Sequence, residues 1–467
     1  MNKRITMLSG LALAALALSS SLNAFNNKTY LATRSINHNL AADPIVFYEL
    51  TRNKKADQFG GTLQVSAFYT KSTHRDAQSY FFGPSNKDRF TAYTNAAADF
   101  NISNMLHDNG STRTTPSIIS LEPVQTVHGL RFHYNHDFSN ILEGLFVRAT
   151  MPVVRMSNSL GLHVENKETP SNAQEILSYF AGNYDATGAN AQSALTHGRI
   201  TGKELATGVA DVTLVAGYKF LQHHHHKAAL TVSATLPTGN KPTGIKAWEP
   251  ITGSAGHFAL GAGAEYSCRL AGHEKAHVNF VAALDYRYQF EAQEMRTIGL
   301  QKVAWGHYNL LLDTIAYPLA STDNLATPAA NVLTVSTNIT PGHSIELLSG
   351  LNFKSGNFTY DTGYTLRYKD KGSAVINKAW NDTQYQRITS GTADLSADLT
   401  GSTSAFTLDP SSVLAETMSH TFFTNMGYLF SSMKKPLCVS VGGHYELANN
   451  NASLTSWGIN AKASLSF

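Results

Sequence analysis

Four consecutive histidines, His223, His224, His225 and His226, form the densest set of metal-binding side chains in the chain. Some fifty residues later His273, Glu274 and His277 add two imidazoles and a carboxylate. Imidazole nitrogen and carboxylate oxygen suit zinc and its neighbours, provided three or four donors converge at about 2 Å. Four adjacent side chains cannot all reach one ion, and nothing beside them fixes the rings. The spacing therefore predicts solvated polar turns. His223, His224, His225, His226, His273 and His277 are weak metal candidates only, and no resident metal or other cofactor is expected.

Nucleophilic chemistry is no better supported. Ser440 and His444 share one face of an alternating segment, but four residues of strand span about 13 Å, far beyond hydrogen-bond reach. Arg131, His133 and Asp137 also share a face, without a nucleophile at their level. The glycine-rich LPTGNKPTG at 236–244 lacks the GxxxxGK[ST] spacing of a phosphate cradle and reads as a loop. Asn-X-Ser/Thr triplets at 101, 109, 357 and 451 match a pattern short enough to recur by chance. No catalytic residue is assigned, and an enzyme is not expected.

The elements that would carry these side chains are strands. The chain ends SWGINAKASLSF, with every second residue apolar up to the terminal Phe467. The same period of two runs through 278–290 and 358–368. Twelve such segments are predicted: 61–70, 127–138, 143–153, 209–220, 228–237, 257–269, 277–290, 344–353, 358–369, 419–430, 437–447 and 454–467. Each is about eleven residues, long enough to cross a bilayer when tilted. Short turns alternate with long connections at 71–126, 154–208, 238–256, 291–343 and 370–418; only 448–453 breaks the rule. Short turns on one side, long loops on the other and an even count describe a closed antiparallel transmembrane β-barrel. Strand-like runs at 303–312 and 331–339 leave fourteen strands as the alternative.

Parity places charge on one face. Arg131, Arg148, Lys219, Arg269, Arg287, Arg367 and Lys462 fall inward, with Asp137, Asp211, Glu265, Asp285, Glu346, Asp361 and Glu446. A lysine or arginine facing lipid costs about 2–4 kcal/mol at the midplane, so an inward set fits a barrel wall. Neighbouring strands can pair them, for example Asp285 with Arg269 or Arg287 with Glu265, if register permits. A soluble β-sandwich also keeps charge off one face. Here, however, the apolar faces carry rings near both strand ends, as at Tyr218, Phe220, Tyr286, Tyr288, Phe422 and Phe430, where a membrane interface favours them.

Composition agrees. Charged residues are 15% of the 467 and the formal net charge is +3, which argues against nucleic acid as a partner. Lys3, Arg4, the apolar run Leu8–Leu18 and the small residues up to Ala24 read as a cleaved export signal over 1–24, with Ser21 as a second cleavage candidate. No apolar run of 18 follows it. Cys268 and Cys438 fall on opposite faces of the predicted wall, so a disulfide is disfavoured. Residues 25–60 are expected to form a periplasmic tail or a luminal plug, and 61–467 the barrel.

GVADVTLVAGYKF from 208, LPTG at 236–239, and Gly253 and Gly256 opening the next strand resemble the phenol MetA-pathway outer-membrane barrels, relatives of the long-chain fatty acid transporters. The resemblance covers about a quarter of the chain. It implies an outer-membrane barrel handling small hydrophobic or aromatic solutes, with 25–60 as the counterpart of the transporters' N-terminal hatch. Phe467 is similar to the closing residue of such barrels, which implies the barrel-assembly machinery as a partner beside membrane lipid and solute. The reading is passive diffusion through a channel. A closed-lumen structural or adhesive surface barrel is the alternative.

Overall fold

A computed structural model of the chain describes residues 28–31, 36, 39–42, 60–73, 89–94, 98–106, 113–186, 191–223, 225–273, 275–315, 326–377, 383–388, 403–414, 416–430, 435–448 and 454–467. The region read as an export signal lies outside them. Twelve long strands form the wall. They are β1 (Gly60–Ser72), β2 (Val124–Asp137), β3 (Leu145–Ser159), β4 (Val212–Gln222), β5 (His226–Leu236) and β6 (Ala259–His273), then β7 (Ala276–Gln289), β8 (Gly342–Ser355), β9 (Phe358–Lys369), β10 (Thr417–Phe430), β11 (Leu437–Ala448) and β12 (Ser456–Ser466).

Each strand pairs antiparallel with the next in sequence, and β12 pairs with β1 from Thr62 opposite Ser466 to Ser72 opposite Ser456. The sheet is therefore closed, and no wall strand exposes an unpaired edge. Gly61 and Phe467 exchange two backbone hydrogen bonds of 2.9 Å at the seam, and the Phe467 ring stacks on Tyr134. The terminal aromatic thus belongs to the closing seam.

Strand formation follows from alternation. On β5, Leu230 and Val232 point outward and remain 58% and 62% exposed, while Thr231, Ser233 and Thr235 turn inward. On β12, Ile459 is 56% exposed while Lys462 and Ser464 are buried. A water-soluble protein buries its large aliphatic side chains; this wall buries its polar ones. The outward band continues through Leu130, Leu214, Leu260, Leu284, Leu347, Phe422, Met426 and Val441. No described helix is long and apolar enough to cross a membrane, and the strands supply the crossings.

The fourteen-strand alternative is excluded. Leu310–Asp313 pairs with Ala326–Pro328 and Tyr385–Ile388, and Thr334–Thr340 pairs with Ala292–Thr297 and Ser373–Ile376, all in small sheets apart from the wall. These belong to a cap built from the long connections. Helix α1 (Pro170–Ala181) starts on a proline and stops at Gly182, whose φ of 80° suits a residue without Cβ. Its face of Ile176, Tyr179 and Phe180 packs into a cluster with Phe90, Phe100, Met105, Trp305 and Tyr308. Trp305 meets Phe90 and Phe180 edge-on at 4.8 and 5.5 Å. The loops read from sequence as long connections therefore have their own apolar core.

Candidate functional site

The inward face of the wall is the candidate site. Arg131, Asp137, Arg287, Glu346, Arg367, Glu446 and Lys462 are buried, and Asp361 is completely so. Arg148, Lys219, Glu265, Arg269 and Asp285 are half-buried. Asp211 is buried too, but it lies between Glu204–Val209 and β4, where the strand is interrupted.

Two ion pairs bridge strands that are not neighbours. The Arg148 guanidinium of β3 donates to both Glu265 oxygens of β6, at 2.6 and 3.0 Å. Between them the inward positions are small, including Gly217 and Ala229, which leaves room for the reach. Lys219 of β4 donates to Asp137 of β2 at 2.5 Å. Phe146 of β3 lies beneath both cations, 4.5 Å from Arg148 and 5.5 Å from Lys219. Gly217 makes this possible, because a Cβ there would fall 2.1 Å from the Phe146 ring.

The pairings read from sequence are corrected. Arg287 donates twice to Asp285 on its own strand, at 2.8 Å each, and Glu265 is held by Arg148. Arg269 stands opposite Asn279, far along the wall from Asp285, which stands opposite Gly263 and Glu346. Alternation gives the face of each residue but not its level; level depends on register and tilt.

Asp211 explains the glycine motif. It accepts from the Gly239 N–H at 3.2 Å and from the Ser254 hydroxyl, tying the 237–258 connection to the break in the wall. A Cβ on Gly253 would lie 2.2 Å from the Asp211 carboxylate, so the backbone there must be bare. Burial raises the Asp211 carboxyl above its usual range.

The described N-terminal residues lie against the cap and the inward wall. Lys28 donates to the carbonyls of Ser411 and Leu414 at 2.7 and 2.5 Å; burial, then Lys371, lowers it to about 8. The Arg296 guanidinium stacks on Tyr30. Arg131 donates to the Ile36 carbonyl at 2.6 Å, and the Leu40 N–H donates to Glu346 at 3.0 Å. Ala41 packs on the inward Leu348 and Phe423. Where the segment meets the cap, a small cavity of about 80 Å³ is lined by Tyr30, Glu294, Arg296, Arg367, Lys369 and Val413, which combines charged and apolar surface.

The histidine turns do not assemble a metal site among the described residues. His226 Nδ1 is 2.8 Å from the Tyr266 hydroxyl, and His277 Nδ1 is 3.1 Å from its neighbour carbonyl at His273. His224 and Glu274 lie outside the described residues. Cys268 and Cys438 are free thiols. Sequence reasoning missed the aromatic cap core, whose signal was the dense Trp305–Gly306–His307–Tyr308, and the docking of 28–31, 36 and 39–42, which has no motif.

No family model and no curated protein matches the chain. Among solved structures it is similar to an outer membrane channel from Pseudomonas putida F1, at 13% identity over 91% of this chain and 100% of that one, with a TM-score of 0.40. A monoaromatic hydrocarbon channel aligns at 11% identity over 94% and 98%, TM-score 0.29. A FadL homologue of Pseudomonas aeruginosa aligns at 10% over 88% and 89%, TM-score 0.29.

Proposed function

We propose that this chain is an outer-membrane channel that passes small solutes passively, with residues 25–60 acting as a luminal plug. The carrying observation is the inversion of polarity in a closed wall, whose aliphatic side chains face out and whose ionic residues face in. The plug reading is supported by Ile36 and Leu40, whose backbone groups bond Arg131 and Glu346 of the inner wall. Hydrophobic or aromatic solutes are the cargo implied by the sequence resemblance. The lumen-facing ionic residues named above act as its electrostatic lining, with balanced signs and weak ion selectivity. Residues 1–24 act as a cleaved export signal, and the β12 seam ending in Phe467 is the part read by the assembly machinery.

Permeability tests this. Liposomes carrying the chain should admit small aromatic solutes faster than protein-free liposomes, and deletion of 28–42 should raise single-channel conductance. Impermeable liposomes, with and without the deletion, would favour the structural or adhesive barrel.

A further inference from the structure

We infer that the cavity between the N-terminal residues, the cap and the end of β9 binds one free, doubly charged oxyanion of the phosphate class. The inference goes beyond the channel reading and does not depend on passage of solute. Tyr30, Arg296 of the cap strand Ala292–Thr297, and Arg367 and Lys369 of β9 meet there with Lys371, which follows β9.

Charge is the first argument. Arg296, Arg367, Lys369 and Lys371 line the cavity with only Glu249 and Glu294 as carboxylates among them. Glu294 is already engaged, since it accepts from Arg296 and lies 2.5 Å from His257 Nε2. Glu249 accepts from the Thr243 and Ile245 N–H groups at 2.6 and 3.1 Å. Asp370, between the two lysines, accepts from the Gly372 N–H at 2.7 Å. Arg367 stands opposite Glu346 in the β8–β9 register. That leaves Lys369 and Lys371, whose ammonium groups make no hydrogen bond or ion pair among the described residues. Lys371 is also near enough to Lys28 to help lower it. Cations gathered beyond their counter-charges repel one another, and a dianion relieves that repulsion.

Room and donors are the second. The cavity of about 80 Å³ is about five times the space one water needs, which suits a tetrahedral oxyanion rather than a bulky solute. The Arg296 side chain is only 5% exposed, and its Nε has no hydrogen-bond partner among the described residues. An ammonium offers three donors around a point charge and a guanidinium offers a planar fork, so the two together suit a ligand with several anionic oxygens. Arg296 also stacks on Tyr30, so a filled site ties the N-terminal residues to the cap and to β9.

Titration calorimetry of the detergent-purified full chain with inorganic phosphate, at fixed ionic strength in chloride, tests the inference. One saturable site is expected, with acetate about tenfold weaker for its single charge. Lys369→Met and Lys371→Gln should each weaken phosphate about tenfold, the loss of one charge-assisted contact. Lys167→Gln, which changes a lysine outside the cavity lining, should bind like the parent. Phosphate should also slow hydrogen exchange of residues 28–31 in the parent and leave it unchanged in the Lys369→Met variant. Absence of saturable binding, or both cavity-lysine variants binding like the parent, overturns the inference. Acetate binding as tightly as phosphate overturns the dianion, and glycerol 3-phosphate binding more tightly than inorganic phosphate overturns the free ion. None of these results turns on liposome permeability, so failure here is distinct from failure of the channel reading.

Discussion

Arg148 and Glu265 show what a single side chain must do inside this wall. Each is a charge withdrawn from water, and each is tolerable because the other accepts or donates two hydrogen bonds. Arg148→Met should therefore destabilise the folded barrel by about 2–4 kcal/mol, read as a lower midpoint in denaturant unfolding. Adding Glu265→Gln should recover part of the loss, because the stranded carboxylate is removed; fully additive losses would contradict the pairing. Gly253 makes a second residue-scale case. Gly253→Val would place Cβ 2.2 Å from the Asp211 carboxylate, so the 237–258 connection must lift off the wall. Faster proteolysis within 237–258, with the rest of the chain resistant, is the expected result.

At the scale of elements, the cap is distinguished from the wall by how its core responds to acid. His307 is buried against Tyr308, its ring centroid 4.1 Å from that of the tyrosine, and burial pushes it down to about 3 from the ordinary 6.5. The unfolded cap therefore binds a proton that the folded cap refuses as pH falls from 6.5 toward 3. Cap stability should drop over that window by a few kcal/mol and stay level above it. Tryptophan fluorescence of Trp305 followed against pH reads this, and His307→Phe should flatten the profile; an unchanged profile would contradict it. Lys28 has the same sign at the other end of the scale. Held near 8 where the free side chain titrates at 10.5, it favours docking of the N-terminal residues more as pH rises between those values. Hydrogen exchange of residues 28–31 should slow, relative to the intrinsic rate, across that window.

For the whole molecule, the wall was legible because a barrel repeats one rule. Side-chain direction alternates every residue, so Val232 and Thr231 declare their faces from sequence alone, and the twelve predicted segments all overlap wall strands. The terminal strand declared its role in the same way, through an aromatic that ends on the outer face. What stayed hidden depends on distances between residues far apart in sequence. The Arg148–Glu265 bridge needs the tilt of four strands, and the Asp211 knot needs a break between Glu204–Val209 and β4 that the period of two conceals. The runs at 303–312 and 331–339 looked like crossings because cap strands carry the same apolar residues: Leu310, Leu311 and Leu312 are buried on both sides, while Thr334–Thr340 is buried at some positions and half-buried at the others. The docking of Lys28, Ile36 and Leu40 uses mostly backbone groups, which leave no trace in residue type.

The central claim is that lipid covers the aliphatic face of this wall. It is tested most directly by single spin labels at Val232 and Ile459 in reconstituted bilayers, with Cys268 and Cys438 replaced by serine. Collisions with oxygen dissolved in lipid should exceed collisions with a water-soluble nickel chelate at both sites. Free access of the chelate to both labels would contradict the account.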